Sequence, residues 1–291
     1  MEFVSPRTLD DALAAKAAHP GAMPIMGGTD VMVELNFDRH RPDVLLDLGR
    51  VAELADWSLD DGRVRLGAGV TYARVIRELG AELPGLAMAS RTVGSPQIRN
   101  RGTVGGNLGA ASPAGDSHPP LLAAGAVVEL SSVSGVRYLP VAEFYLGVKR
   151  HAAADTELVT AVLVPRATGP EQFCKIGTRN AMVIAVAALG LALRPDTRSI
   201  GTGIGSAAPT PFRACDAEEF LAGALDADGL WDRPSPLPQA LVAEFGARIA
   251  AAAAPIDDVR GTAPYRRHAL AVLARRALTW AWDEYAAAGG R

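Results

Sequence analysis

Seventeen consecutive residues, Asn100–Asp116 (NRGTVGGNLGAASPAGD), hold five glycines, one proline and almost no large side chain. Such a run cannot supply a core. It lets backbone pass very close to something else, because glycine lacks a Cβ and tolerates positive φ. Successive N–H groups there can form an anion-binding concavity, and Thr103, Ser112 and the Asn107 amide add hydrogen-bonding groups. A second stretch, Pro24–Val31 (PIMGGTDV), again sets Gly-Gly beside a hydroxyl, directly after a short apolar run. A strand over Met23–Met26 and a helix over Val31–Phe37 place Gly27, Gly28 and Thr29 at a strand-to-helix turn, where free N–H groups and a helix dipole favour an anion. Two such segments in one half of a chain point to one extended phosphate-bearing ligand held from two sides.

At 291 residues the chain has room for two domains. A net charge of −3 gives no electrostatic footprint for nucleic acid or an anionic membrane. No apolar run approaches the roughly 20 residues of a membrane-spanning helix, and the acidic start MEFVSPRTLDD lacks a secretory pattern. The expectation is a cytoplasmic protein. Two cysteines, Cys174 and Cys215, are too few for an iron–sulfur site, which takes about four thiolates. Both are expected to be free and buried. The five histidines show no metal-ligand spacing, so no metal site and no catalytic residue is assigned. Redox chemistry here requires an organic cofactor.

Along the chain, Thr8 caps a helix over Leu9–Ala18 with Asp11 in a capping-box position. Val44–Asp47 reads as a strand. Ala55–Leu59 and Arg63–Ala68 form a hairpin with Val64, Leu66 and Ala68 inward. Thr71 caps a helix through Leu79, and Pro84–Ser90 is a second helix. Gly94–Ala114 is expected to be one long loop. Pro119–Ala124 is helical, Ala126–Ser131 and Val136–Leu139 form a hairpin, and Leu158–Val164 is a strand. Arg166–Glu171 reads as a boundary. Beyond it, Phe173–Thr178, Val183–Leu193 and Arg198–Ser206 read as antiparallel strands. A helix capped by Asp216 runs through Leu225, and long helices cover Leu237–Ala254 and Tyr265–Ala288, an α+β pattern.

Three features invite other readings. Gly201–Gly205 (GTGIG) mimics a dinucleotide fingerprint, but Pro209 and Pro211 block the helix that a fingerprint opens. Asp116-Ser117-His118 has the residue types of a hydrolytic relay, but such a relay converges from separate segments, and His118 is read as a loop residue. Arg266-Arg267 and Arg275-Arg276 are read as solvated helix faces or partner contacts.

The run IRNRGTVGGNLGAASPAGD, together with PIMGGTDVM, resembles the FAD-binding medium subunit of the molybdenum hydroxylases, the xanthine dehydrogenase and carbon monoxide dehydrogenase family. The family loop is I-R-N-x-G-T-x-G-G-N-[LI] with an Asp about nine residues after the Asn, matched by Asn107 and Asp116. FCKIGTRNAMVIAVAALGLAL, GSAAPTPFRACDAEEFL and PIDDVRGTAPYRRHAL resemble later family signatures, so the likeness spans nearly the whole chain. One departure is Val183, where many relatives carry Asp. On the expected apolar strand it reads as a packing change.

The resemblance implies an α+β fold. A two-part FAD-binding domain of the vanillyl-alcohol-oxidase-like (PCMH) type covers 1–168, and a smaller α+β domain of the carbon monoxide dehydrogenase flavoprotein C-terminal type covers 169–291. It implies FAD held by Pro24, Ile25, Met26, Gly27, Gly28, Thr29, Asp30 and Val31, and by Thr103, Val104, Gly105, Gly106, Asn107 and Ser112. Asp116 would accept from ligand hydroxyls and Lys175 would approach the flavin ring. Arg99 and Arg101 either add charge or make structural bonds, and Val159 or Thr160 touches the ring or the adenine. A large molybdenum-cofactor subunit and a small [2Fe–2S] subunit are the implied partners, in a dimer of heterotrimers, with electrons leaving the FAD for an acceptor such as NAD. A self-sufficient FAD oxidase and a scaffold that has lost FAD are the competing readings.

Overall fold

The structure, a computed structural model, describes residues 1–289; the last two positions of the expected 169–291 unit lie outside the described residues. The chain opens with β1 (Glu2–Val4), α1 (Leu9–Ala18), β2 (Met23–Ile25), α2 (Val31–Asn36) and β3 (Val44–Asp47). These three strands form a parallel sheet in the order β1-β3-β2. Thr8 caps α1, its hydroxyl accepting from Asp11 N at 3.1 Å. α1 and β3 share a core of Ala12, Leu13, Val44, Leu46 and Leu54. The first strand is too short and exposed to show in the sequence pattern.

A second, antiparallel sheet has the order β4-β5-β10-β6-β7. Its strands are β4 (Trp57–Asp60), β5 (Arg63–Gly67), β6 (Val127–Ser132), β7 (Gly135–Pro140) and β10 (Leu158–Pro165). As alternation requires, Val64 and Leu66 are fully buried. α8 (Val141–Phe144) and a small hairpin, β8 (Tyr145–Gly147) with β9 (Arg150–His151), lie between β7 and β10. Five helices join β5 to β6: α3 (Tyr72–Glu78), α4 (Pro84–Thr92), α5 (Pro96–Arg101), α6 (Val104–Ala110) and α7 (His118–Ala124).

The expected long loop over Gly94–Ala114 is therefore two short helices. Ser95 accepts from Ile98 N at 3.4 Å ahead of Pro96, and Thr103 accepts from Gly106 N at 2.9 Å. Both are hydroxyl N-caps. Glycine's low helix propensity hid α6, and packing overrides that propensity: Val104 and Leu108 are fully buried.

The remaining strands, β11 (Glu171–Ile176), β12 (Ala187–Arg194) and β13 (Ser199–Gly205), form an antiparallel sheet. One face carries Leu189, Leu191, Leu193, Ile200 and Ile204 into a core with α9 (Cys215–Ala227), α10 (Gln239–Ala252) and α11 (Ala263–Ala287). The other face is small, and α7 lies on it. A Cβ on Gly190, Gly201 or Gly203 would come within 2.6 Å of Pro119 O, 2.0 Å of Ala123 O or 2.0 Å of Pro119 O. The fingerprint-like GTGIG is thus a strand whose glycines form a floor for a helix backbone.

Several expectations shift. β12 starts at Ala187, because Met182 takes φ 51° and leaves Val183 in the preceding loop. α9 begins at Cys215 with Ala214 as N-cap, so Asp216 sits inside the first turn. Cys174 is buried, but Cys215 is exposed. Arg266 is 4% exposed rather than solvated: it donates to Val186 O at 3.0 Å, Ser206 O at 2.6 Å and Asp258 Oδ1 at 2.5 Å. His118 is the first residue of α7 and fully buried.

Glu171 ties the second antiparallel layer to α4, its Oε2 accepting from Gly85 N at 2.9 Å. Burial pushes its carboxyl up to about 7 against the pull of that bond and of Arg194. The folded chain therefore holds a proton between pH 4.5 and 7 that the unfolded chain releases. Stability from this group falls as pH rises through that window. Glu171→Gln should flatten the fall, gaining up to roughly 3 kcal/mol on the parent by neutral pH, read from urea unfolding at pH 5 and pH 7. Gly203→Ala should lose roughly 1–3 kcal/mol, since backbone meets the new methyl. Gly223→Ala, in α9 with nothing within 4 Å of its Cβ, should gain up to about 1 kcal/mol. The same unfolding curves check both.

Candidate cofactor site

The two glycine segments meet. β2 delivers the chain to Met26, and Gly28 then takes φ 75°, which turns it into α2. A Cβ on Gly27 would lie 2.0 Å from Arg101 O, so the turn rests directly on the joint between α5 and α6. Tyr72 N donates to Gly102 O at 3.0 Å, and Thr71 bridges to Thr103. A Cβ on Gly105 would fall 2.4 Å from that of Ala68. The first segment is thereby seated on the α5–α6 joint and the second on the residue that follows β5, by close contacts that only glycine permits.

The outer face of α6 is different. Gly106 and Gly109 are exposed, and a Cβ on Gly109 would meet nothing within 4 Å. Pro24 and Asp30 are exposed; Ile25, Met26, Gly27, Gly28, Thr29 and Val31 are half-buried. The structure thus presents bare backbone and small side chains along two adjoining turns, a surface suited to an extended ligand bound through main-chain dipoles.

Thr103 is 4% exposed and is the cap of α6, Val104 and Gly105 are buried, and Asn107 is half-buried. Beneath α6 lies a buried polar layer that the sequence did not reveal. Ser117 Oγ donates to Asn107 Oδ1 at 2.5 Å, orienting that carboxamide. His118 Nδ1 is 2.7 Å from Tyr145 Oη. Burial pushes the imidazole down to about 3, so it is neutral at physiological pH. Asp116, Ser117 and His118 each face a different partner, so they form no relay. Ser112 is half-buried, with Oγ accepting from Ala114 N at 3.4 Å.

Lys175 comes from β11 and reaches across to the glycine segment. Its Nζ donates to Asp116 Oδ2 at 2.5 Å, and both side chains are 8% exposed. Thr92 Oγ1, at the end of α4, donates to the same oxygen at 3.0 Å. Burial pushes the Asp116 carboxyl up, and Lys175 and Thr92 pull it back. Lys175 and Thr92 line a cavity of about 420 Å³ with Arg91, Arg99, Arg179 and Val183. Val183 is thus a cavity residue on a loop, not a strand packing residue. Arg99 donates to Val93 O and Gly94 O, each at 3.1 Å, which is a structural use of its guanidinium. Thr160 is fully buried and bonds Glu129 Oε1 at 2.8 Å inside the sheet. Thr92 and Ser117 carry no local signal: Thr92 acts across 24 residues, and Ser117 reaches back ten residues across the turn between α6 and α7.

Known proteins share this architecture. The FAD binding domain in molybdopterin dehydrogenase matches residues 1–167, and the CO dehydrogenase flavoprotein C-terminal domain matches 172–281. The chain is 32% identical to the nicotinate dehydrogenase FAD-subunit of Eubacterium barkeri over 77% of its length and 80% of the relative's. It is 29% identical to a putative xanthine dehydrogenase FAD-binding subunit of Escherichia coli over 98% of its length and 96% of the relative's. The solved carbon monoxide dehydrogenase from Hydrogenophaga pseudoflava contains a chain that superposes with a TM-score of 0.87 at 26% identity, covering 98% of each. An FAD-binding domain built around two glycine turns, followed by a sheet-and-helix domain docked on it, places this chain among the FAD-binding subunits of the molybdopterin dehydrogenases.

Proposed function

We propose that this chain is the electron-transfer flavoprotein of a molybdenum-containing hydroxylase complex, passing electrons from the [2Fe–2S] clusters of a partner subunit through FAD to an external acceptor such as NAD. FAD supplies the ability to accept and release electrons; this chain's residues bind it, orient it and set its surroundings. The observation that carries the reading is the outward bare backbone of α6 beside the Gly27–Gly28 turn. Pro24–Val31 and Thr103–Asn107 would hold the pyrophosphate and ribityl chain, with Ser112 and Asp116 beyond them and Lys175 at the ring. A division at 168/169 gives the first unit both glycine turns and the second unit Lys175.

The partners follow from what this chain lacks and what it exposes. Its two cysteines cannot ligate two clusters, so we assign the clusters to a small subunit and the molybdenum cofactor to a large one, in a cytoplasmic dimer of heterotrimers. No helix among the described residues is long and apolar enough to cross a membrane. Phe37 is 70% exposed, and Met32, Val33, Leu146 and Val148 are each at least 43% exposed. The Lys149–Glu34 ion pair joins the segments that carry them. Exposed apolar side chains on two segments joined by an ion pair are suited to a partner protein.

Gly106→Trp should abolish flavin retention while leaving thermal stability close to the parent's, because its Cβ meets only Thr103 Oγ1 at 3.0 Å. Gly105→Ala, driven into Ala68, should instead lower stability by roughly 1–3 kcal/mol. Visible spectra after FAD loading and desalting, paired with melting curves, separate the two. Flavin retained undiminished by Gly106→Trp would refute the assignment.

A further inference from the structure

Lys175 belongs to the proposed cofactor set and also lines the interdomain cavity. Its charge does not stand alone there. Asp116 Oδ2 accepts from Nζ at 2.5 Å, and the Thr92 carbonyl oxygen lies 3.4 Å from the same nitrogen. Thr92 Oγ1 fixes that carboxylate oxygen from a second direction at 3.0 Å. Cation, anion and hydroxyl come from three separate segments, and both charged side chains are 8% exposed. Among the described residues the other charged groups on the cavity wall are Arg91, Arg99 and Arg179. Arg99 is held by the Val93 and Gly94 carbonyls, and Arg179 by those of Ala181 and Met182.

Resting on the FAD reading above, we propose that Asp116, in addition to its place in the FAD set, acts through Lys175 as a positioning residue, pinning the ammonium at the cavity wall and cancelling its charge, so that the wall's positive charge is left to its arginines and a flavin ring there meets Lys175 as one half of a neutral pair. A lone ammonium in a poorly solvated site exerts a strong field, because little water screens it. It would stabilise the electron-rich reduced flavin and raise its midpoint potential. A close ion pair presents only a dipole and leaves the potential lower, which suits a subunit that hands electrons onward.

The test is a spectroelectrochemical titration of the bound flavin in the full chain, co-purified with its partners and supplemented with FAD. Asp116→Asn should raise the midpoint potential, because it leaves an uncancelled lysine. Lys175→Met should lower it at mildly alkaline pH, where Asp116, whose carboxyl burial pushes up, is left as an uncancelled carboxylate, and all variants are read at that pH. The double variant should return close to the parent. Opposed single shifts that cancel in the double are a signature that a purely structural role does not produce. Should Asp116→Asn alone fail to fold, the same charge change is read between Lys175→Met and the double variant, where the potential must rise. Flavin bound with an unchanged potential in Asp116→Asn, or single variants that shift together, would overturn the inference and leave the FAD reading standing. A parent complex that purifies without flavin would overturn both.

Discussion

Close backbone-to-backbone approach, made possible by missing Cβ atoms, is the constraint on which this structure depends. It operates at two places. At the first, Gly27 and Gly105 bring the turn after β2, the joint of α5 and α6, and the end of β5 into direct main-chain contact. At the second, Gly190, Gly201 and Gly203 form a floor on which α7 lies. The segment between α6 and α7 is 111–117, so the helix that carries the second glycine turn and the helix that lies on the β12–β13 glycines are joined by a short link. Tight packing at one end therefore constrains the geometry at the other, because close-packed interiors transmit small displacements.

Polar groups at the junction of the two layers are few and buried. Glu171 accepts from the start of α4, and Asp116 accepts from its end through Thr92 and from Lys175. Buried ions are costly to desolvate and add little net stability even when paired. Their value here is geometric. They place α4, the glycine segment and β11 in one register. The hydrophobic contribution comes from elsewhere, from the leucine face of β12 against α9–α11 and from the helices packed on the five-stranded sheet.

Much of the fold was legible because its periodicities are strong. The β4–β5 hairpin, the Thr8 and Thr71 caps and the long C-terminal helices are local patterns, and each lies where its pattern predicts. The failures share a cause. α5 and α6 read as loop because glycine and proline dominate their propensity, whereas the Ser95 and Thr103 caps and the burial of Leu108 decide the outcome. Val183 read as strand because it is apolar, yet the chain turns at Met182. Arg266 read as surface because arginine usually is, but it satisfies backbone carbonyls left by the Val186 and Ser206 loops.

By itself the sequence determined the α+β architecture, the two glycine turns and the family to which they belong, because those depend on residue types at fixed local spacings. Only the tertiary structure decided what the chemistry-bearing side chains touch. It paired Lys175 with Asp116 across 59 residues, gave Ser117 the task of orienting Asn107, and turned a dinucleotide-like glycine run into a docking floor. Such contacts arise between segments with no local relation, so their physical cause, burial that forces each polar group to find a partner, appears only when the chain is folded.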